Sequence, residues 1–93
     1  MIVGILKVDV ALFDAQTLKD KRRVTHGFKE RLRNKFNVSV SEVEFGDLPK
    51  RCLLGIAMVA RESRPLHSQL DQIVEMVRHT AGLTLLNYER EVL

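Results

Sequence analysis

Hydrophobic and polar residues alternate at the start of the chain, as they do in a β-strand with one buried face. Residues 2–12 place their larger aliphatic side chains on one face, namely Ile2, Leu6, Val8, Val10 and Leu12. From residue 17 the apolar positions recur every three or four residues, which predicts an amphipathic helix over residues 17–36. Thr17 is predicted to be its N-cap, and Asp20 follows three residues later to complete a capping box.

Two more strands are predicted after this helix. The second strand runs from residue 38 to residue 45. Its apolar positions change parity between Val40 and Val43, which indicates a β-bulge near residues 41–42. The third strand covers residues 51–61 and has apolar or small residues on both faces, so both faces are expected to be at least partly covered.

Residues that favour helix ends delimit a second helix. Ser63 is predicted as its N-cap, and Pro65 falls in its first turn. Gly82 is predicted to end it, after which residues 83–92 form the last strand. The apolar stripe of this helix consists of Leu66, Leu70, Ile73, Val74 and Val77.

The order strand, helix, strand, strand, helix, strand predicts a split β-α-β arrangement, that is, a ferredoxin-like α+β sandwich of type βαββαβ. Right-handed crossovers place the first and third strands at the centre of a four-stranded antiparallel sheet, with both helices on one face. The 93 residues contain no repeat or linker, so we expect a single domain over residues 1–93.

The sheet face without helices is predicted to be apolar. Its central strands contribute Ile5, Leu53, Ala57 and Val59. These strands carry no aromatic residue on that face, which argues against base stacking there. Because an apolar face needs a cover, we expect a two-fold homodimer through Ile5, Leu53, Ala57 and Val59. The alternative is that the last strand or a tail folds over the face.

The positive charge of the chain is concentrated in the first predicted helix. Residues 17–36 hold eight Lys and Arg residues against two acidic ones, whereas the whole chain has a net charge of +3. A local basic surface is typical of a polyanion partner. The predicted nucleic-acid contacts are Lys19, Lys21, Arg22, Arg23, Lys29 and Arg33. Lys21 falls within the apolar arc, where a lysine usually snorkels, and the alternative for the whole surface is a solvated charged face.

The remaining reactive residues form no recognisable site. Cys52 is the single cysteine and is expected in the core, and the N-terminus lacks the basic segment of a signal peptide. Both features favour a cytoplasmic protein. No apolar run reaches the ~18–20 residues that a membrane-spanning helix requires. The histidines lack metal-ligand spacing. We therefore expect no metal, cofactor, membrane association or enzymatic activity.

Several segments of the chain resemble the bacterial YlxP-like family. They are residues 17–23 (TLKDKRR), 29–43 (KERLRNKFNVSVSEV), 54–57 (LGIA) and 88–91 (YERE). The resemblance covers nearly the whole chain and implies a small ferredoxin-like domain without an assigned biochemical function. Genes of that family often lie among those for transcription elongation, translation initiation and ribosome maturation, which implies an accessory role at RNA or the ribosome.

Two functions are compatible with these features. The first is a non-enzymatic accessory protein that contacts RNA or a ribosomal subunit through its basic helix. The second is a dimeric protein-interaction or small-ligand regulatory module without nucleic-acid binding. They differ in the surface that carries the function, since the first uses the basic helix and the second uses the sheet face opposite the helices.

Overall fold

The computed structural model describes residues 1–93 and contains the six predicted elements in the predicted order. They are β1 (Ile2–Ala11), α1 (Leu18–Lys35), β2 (Val38–Glu44), β3 (Arg51–Ala60), α2 (Ser63–Arg78) and β4 (Thr84–Val92). This is the ferredoxin-like α+β arrangement expected from the sequence. Neither helix combines the length and apolar character needed to cross a bilayer.

The sheet has the strand order β2-β3-β1-β4, with every neighbouring pair antiparallel. The predicted central position of β1 and β3 is therefore confirmed. β4 pairs with β1 along its length, and the backbones of Val3 and Leu93 exchange hydrogen bonds of 3.0 and 2.8 Å. The last strand thus forms one edge of the sheet and does not fold over the sheet face that lacks helices.

One core lies between the sheet and both helices. The strands supply alternate residues such as Leu6, Val8 and Ile56, and the helices supply Phe28 and Ile73; all five are at most 1% exposed. These side chains belong to one cluster of 19 buried residues. Because residues of both helices join the same strand face, the other face of the sheet, here called the open face, has no helix on it.

The start of α1 matches its predicted capping box. The Thr17 hydroxyl accepts a hydrogen bond from the Asp20 amide at 3.1 Å, and the Asp20 carboxylate accepts one from the Thr17 amide at 3.2 Å. The carboxylate also accepts the Gln16 amide at 3.0 Å. Amides that the helix itself leaves without partners are thereby satisfied.

The ends of α2 differ from the prediction. Glu62, not Ser63, is the N-cap, and it makes no side-chain capping bond. The helix stops at Arg78, four residues before Gly82, and the Thr80 hydroxyl bonds to the Met76 carbonyl at 2.6 Å. Gly82 lies instead in the following turn at φ +90°, a left-handed conformation that favours glycine.

The predicted bulge in β2 exists, but it lies slightly later than residues 41–42. The register with β3 shifts between Glu42 and Glu44, so Val43 is the extra residue. Glu42 remains on the helix side of the sheet, opposite Leu54, whereas Val43 packs over Gly55 on the open face. The bulge therefore places two successive residues, Val43 and Glu44, on the open face.

Candidate nucleic-acid interface

Four predicted cationic residues come together on one side of α1, next to the edge strand β2. Lys19, Arg22, Arg23 and Lys29 line a shallow depression of about 580 Å³. Helical periodicity explains the grouping, because residues three, four and seven positions apart lie on one side of a helix. Thr25, His26 and Glu42 complete the lining. We call this surface, defined by the four cations, the cationic depression.

Only one cation of the depression has an ionic partner within the protein, and that pair is weak. Arg23 lies 3.9 Å from Asp20, and its side chain is 73% exposed. No other Lys or Arg of the depression has a carboxylate within 4.0 Å. Exposed pairs of this kind contribute little, so these charges are available to an external anion.

Lys21 does not belong to this surface, and its prediction as a nucleic-acid contact is wrong. The residue is 1% exposed. Its ammonium nitrogen lies 2.5 Å from Oε2 of Glu42 and donates to the carbonyls of Phe45 at 2.7 Å and Leu48 at 2.9 Å. The ammonium thus has one ion pair and two hydrogen bonds inside the protein, and Lys21 joins α1 to the turn between β2 and β3.

Glu42, the ionic partner of Lys21, also lines the cationic depression. Outside the ion pair, Oε2 of Glu42 has no hydrogen-bond partner, so Lys21 is what compensates its negative charge. Burial, and after it the adjacent Glu42 carboxylate, raises the pKa of the Cys52 thiol to about 12. The thiol is therefore a packing group and not a nucleophile.

Arg33 lies further along α1 and outside the lining of the depression. Its Nη2 donates to the carbonyl of Val40 in the edge strand β2 at 3.2 Å. The residue is nevertheless exposed, and a guanidinium carries five N–H donors. Arg33 can therefore contact an anion while it holds α1 against β2.

The end of the sheet beside the start of α1 carries further basic residues. Lys50 donates from its ammonium to the carbonyl of Phe13 at 2.7 Å. Arg51 binds both carboxylate oxygens of Asp9, at 3.1 and 3.0 Å, and its guanidinium lies 4.6 Å from the centre of the Phe45 ring. These contacts connect the β2–β3 turn to β1, as Lys21 connects it to α1.

The open face brings together the four residues predicted for a dimer. Ile5 pairs with Ala57, while Leu53 and Val59 lie on the same face of β3. Val59 is 50% exposed, and Val43, which the prediction omitted, is 54% exposed. Part of this face forms a depression of about 470 Å³ that includes Ile5, Leu53, Ala57 and Val43.

Charged residues border this apolar area. Lys7 lines that depression, and Glu89 and Glu91 of β4 lie beside Lys7 around a small depression of about 240 Å³. The open face thus carries both signs of charge, in contrast to α1. No three His, Cys, Asp or Glu side chains gather as a metal site would require.

Two exposed residues, His26 in the lining of the depression and Phe13 in the loop before α1, were not in the predicted set. His26 lies one turn from both Arg22 and Arg23, so its helical spacing alone was sufficient to include it. Phe13 is a different case, because it lies in the loop between β1 and α1 and is 63% exposed. The spacing of apolar residues predicts burial only within a strand or a helix, so nothing in the sequence indicated that Phe13 is exposed.

The sequence of the chain was compared with those of known proteins. Residues 3–90 match the family described as "Protein of unknown function (DUF503)". The chain is also similar to "Uncharacterized protein YlxP" of Bacillus subtilis (strain 168), with 32% identity over 76 residues. That alignment covers 82% of this chain and 83% of the relative. The resemblance seen in the sequence is thereby confirmed, and the chain belongs to the YlxP-like DUF503 family.

Proposed function

We propose that this protein is a non-enzymatic accessory protein that binds RNA, either as isolated structured RNA or within a ribosomal subunit, through the cationic depression of α1. The observation that carries the proposal is the grouping of Lys19, Arg22, Arg23 and Lys29 around one depression. Their charges are nearly unopposed, since the nearby Glu42 is compensated by Lys21.

The shape of this surface suits a phosphate backbone. Lys19 and Arg33 are 14 positions apart in one helix, which corresponds to about 21 Å along its axis. A rigid row of cations of that length can contact several phosphates at once. Such contacts supply affinity and orientation but do not read bases, so we expect binding that depends strongly on salt and weakly on sequence. We further propose that the protein acts in the cytoplasm, where RNA is accessible to it.

The test is a salt titration of the complex with a fluorescently labelled structured RNA and with purified ribosomal subunits. With four to five phosphate contacts, the logarithm of the association constant should fall with the logarithm of salt concentration at a slope of about −3 to −4. Affinity that does not change between low and moderate salt would contradict the phosphate mechanism.

Two variants that lose the same number of positive charges test whether RNA binds at the cationic depression. The test variant carries Arg22→Gln, Arg23→Gln and Lys29→Gln, and the control carries Arg61→Gln, Arg64→Gln and Arg78→Gln, which are exposed and outside α1. Both lose three positive charges. The test variant should bind at least tenfold more weakly than the control and show a shallower salt slope. Equal losses would show that net charge, and not this depression, causes binding.

A second proposal concerns the open face, which we propose is covered by a second copy of the chain. Exposed Val43 and Val59 lie there, and such a patch favours association. Lys7 together with Glu89 and Glu91 makes the face able to match its own charges across a two-fold axis. As the alternative to RNA binding, this dimer would be a protein-interaction or small-ligand regulatory module.

The dimer is tested by measuring the mass of the protein in solution at micromolar concentration. A dimer should dissociate in Val59→Glu, because two charges would be buried at the interface. Leu48→Glu is the control, since Leu48 is comparably exposed at 45% but lies in the β2–β3 turn. A wild-type protein that is monomeric at micromolar concentration would exclude the proposal.

A further inference from the structure

Phe13 differs from the other phenylalanines of the chain. Phe28 and Phe36 are buried in the core, and Phe45 has the Arg51 guanidinium over its ring. Phe13 is 63% exposed and follows directly after the core residue Leu12. The exposed ring offers a flat apolar surface to a partner in solution.

The backbone that carries Phe13 is held firmly in place. Its carbonyl accepts the Lys50 ammonium, and the Leu12 amide donates to the Lys50 carbonyl at 2.9 Å. The neighbouring Ala15 is buried. The ring therefore projects from a fixed loop, and the conformational entropy lost on binding a partner is small.

This loop leads directly into α1, the helix that carries the cationic depression. Phe13 is four residues before the N-cap Thr17, and Lys19 is in the first turn of α1. Phe13 and Lys19 are six positions apart, so their Cα atoms are at most about 22 Å apart. Lys50, which donates to the Phe13 carbonyl, belongs to the turn that Lys21 connects to α1. An extended nucleic-acid strand can reach both the ring and the cations.

We propose that Phe13 stacks on one unpaired base of an RNA whose phosphates lie on the cationic depression. This inference rests on the proposed function and narrows the ligand to RNA with an unpaired segment beside a structured one, such as a hairpin loop. Single-stranded bases are commonly recognised by stacking on aromatic rings next to cations. The central strands of the open face present no aromatic ring for this purpose, whereas the loop before α1 does.

The test compares a hairpin RNA with a blunt duplex of the same stem sequence. Phe13→Leu keeps the apolar character but removes the ring, and it should weaken hairpin binding about tenfold while leaving duplex binding unchanged. The salt slope should not change, because stacking releases no counterions. Leu48→Ala, at the same end of the molecule, should have no effect on either RNA.

Phe13→Trp provides a direct signal, because the chain contains no tryptophan. This variant should bind the hairpin at least as tightly as the wild type, and its fluorescence should be quenched by the loop bases but not by the duplex. Unchanged hairpin binding by Phe13→Leu, or an equal loss for the duplex, would overturn the stacking role while leaving the cationic depression intact. If the wild type binds neither RNA, both proposals fail.

Discussion

At the level of single residues, Lys21 shows how a buried charge can be accommodated. Helical periodicity places Lys21 among the core positions of α1, and the structure keeps it there at 1% exposure. Burial of an ammonium is unfavourable unless a counter-charge and hydrogen-bond acceptors replace water. Glu42 and the carbonyls of Phe45 and Leu48 supply them. The residue therefore positions the β2–β3 turn.

We expect Lys21→Met to lower the free energy of unfolding by about 2–4 kcal/mol, because Glu42 and two carbonyls would lose their shared partner. Chemical denaturation of Lys21→Met, Glu42→Gln and the double variant measures the coupling between the two side chains. The double variant should be less destabilised than the sum of the single variants. Additive losses would show that the ion pair contributes little.

Asp20 gives the capping box a pH dependence. Hydrogen bonds from the Gln16 and Thr17 amides, and the nearby Arg23, lower the pKa of this carboxyl below its ordinary value of 3.8. A lowered pKa in the folded state stabilises the protein above pH 3.8, and this stabilisation is lost as the pH falls through the folded value. The melting temperature of Asp20→Asn should therefore lie below that of the wild type at neutral pH. The two should converge in acid, and a difference independent of pH would contradict this origin.

At the level of elements, α1 combines a strong start with unfavourable features further along. Its capping box satisfies the first amides, but its exposed face carries many like charges, which repel one another at helical spacing. Gly27 adds a flexible residue in the middle. Packing of Phe28 and Leu32 into the core, where both are fully buried, compensates, as is usual for amphipathic helices.

Substitution by alanine should change the stability of the protein in opposite directions at Gly27, in α1, and at Gly82, in the turn before β4. At Gly27 the nearest atom to a new Cβ is Arg31 Nη1 at 3.8 Å, so Gly27→Ala should stabilise the protein by about 0.5–1 kcal/mol. At Gly82 the φ of +90° is unfavourable for alanine, and the Cβ would lie 3.2 Å from Val24. Gly82→Ala should destabilise by more than about 1 kcal/mol. Thermal melting of both variants tests the contrast.

At the level of the whole molecule, the two outer surfaces differ in charge. The helix side carries the cationic depression, while the open face carries apolar residues together with Lys7, Glu89 and Glu91. Because the two surfaces lie on opposite faces of the molecule, the proposed RNA binding and the proposed dimerisation would not compete for the same residues. A dimer through the open face would then present two cationic depressions on opposite outer surfaces.

The reaction rate of the Cys52 thiol measures unfolding of the whole protein. The thiol is fully buried, and its pKa is raised to about 12. At pH 8 it should react with a thiol reagent only after global unfolding, since both access and the thiolate are missing in the folded state. The rate should rise sharply across the denaturant transition. Rapid reaction under native conditions would reveal a local opening of β3.

The sequence alone determined the elements, their order and the burial of each face. It also located the capping box and the basic helix. These features follow from patterns within about 10–18 consecutive residues, where alternation, helical spacing and cap residues act locally. The topology followed because few arrangements bury the apolar faces of six such elements in one core.

Tertiary structure alone decided which charges are available. Lys21, chemically the same as Lys19, is removed from the surface by carbonyls 24 and 27 positions away, and Lys50 binds Phe13 across 37 positions. The exact end of α2 and the exposure of Phe13 likewise depend on the surrounding turns. Local patterns carry no information about such distant contacts, because these contacts form only when the chain brings separate segments together.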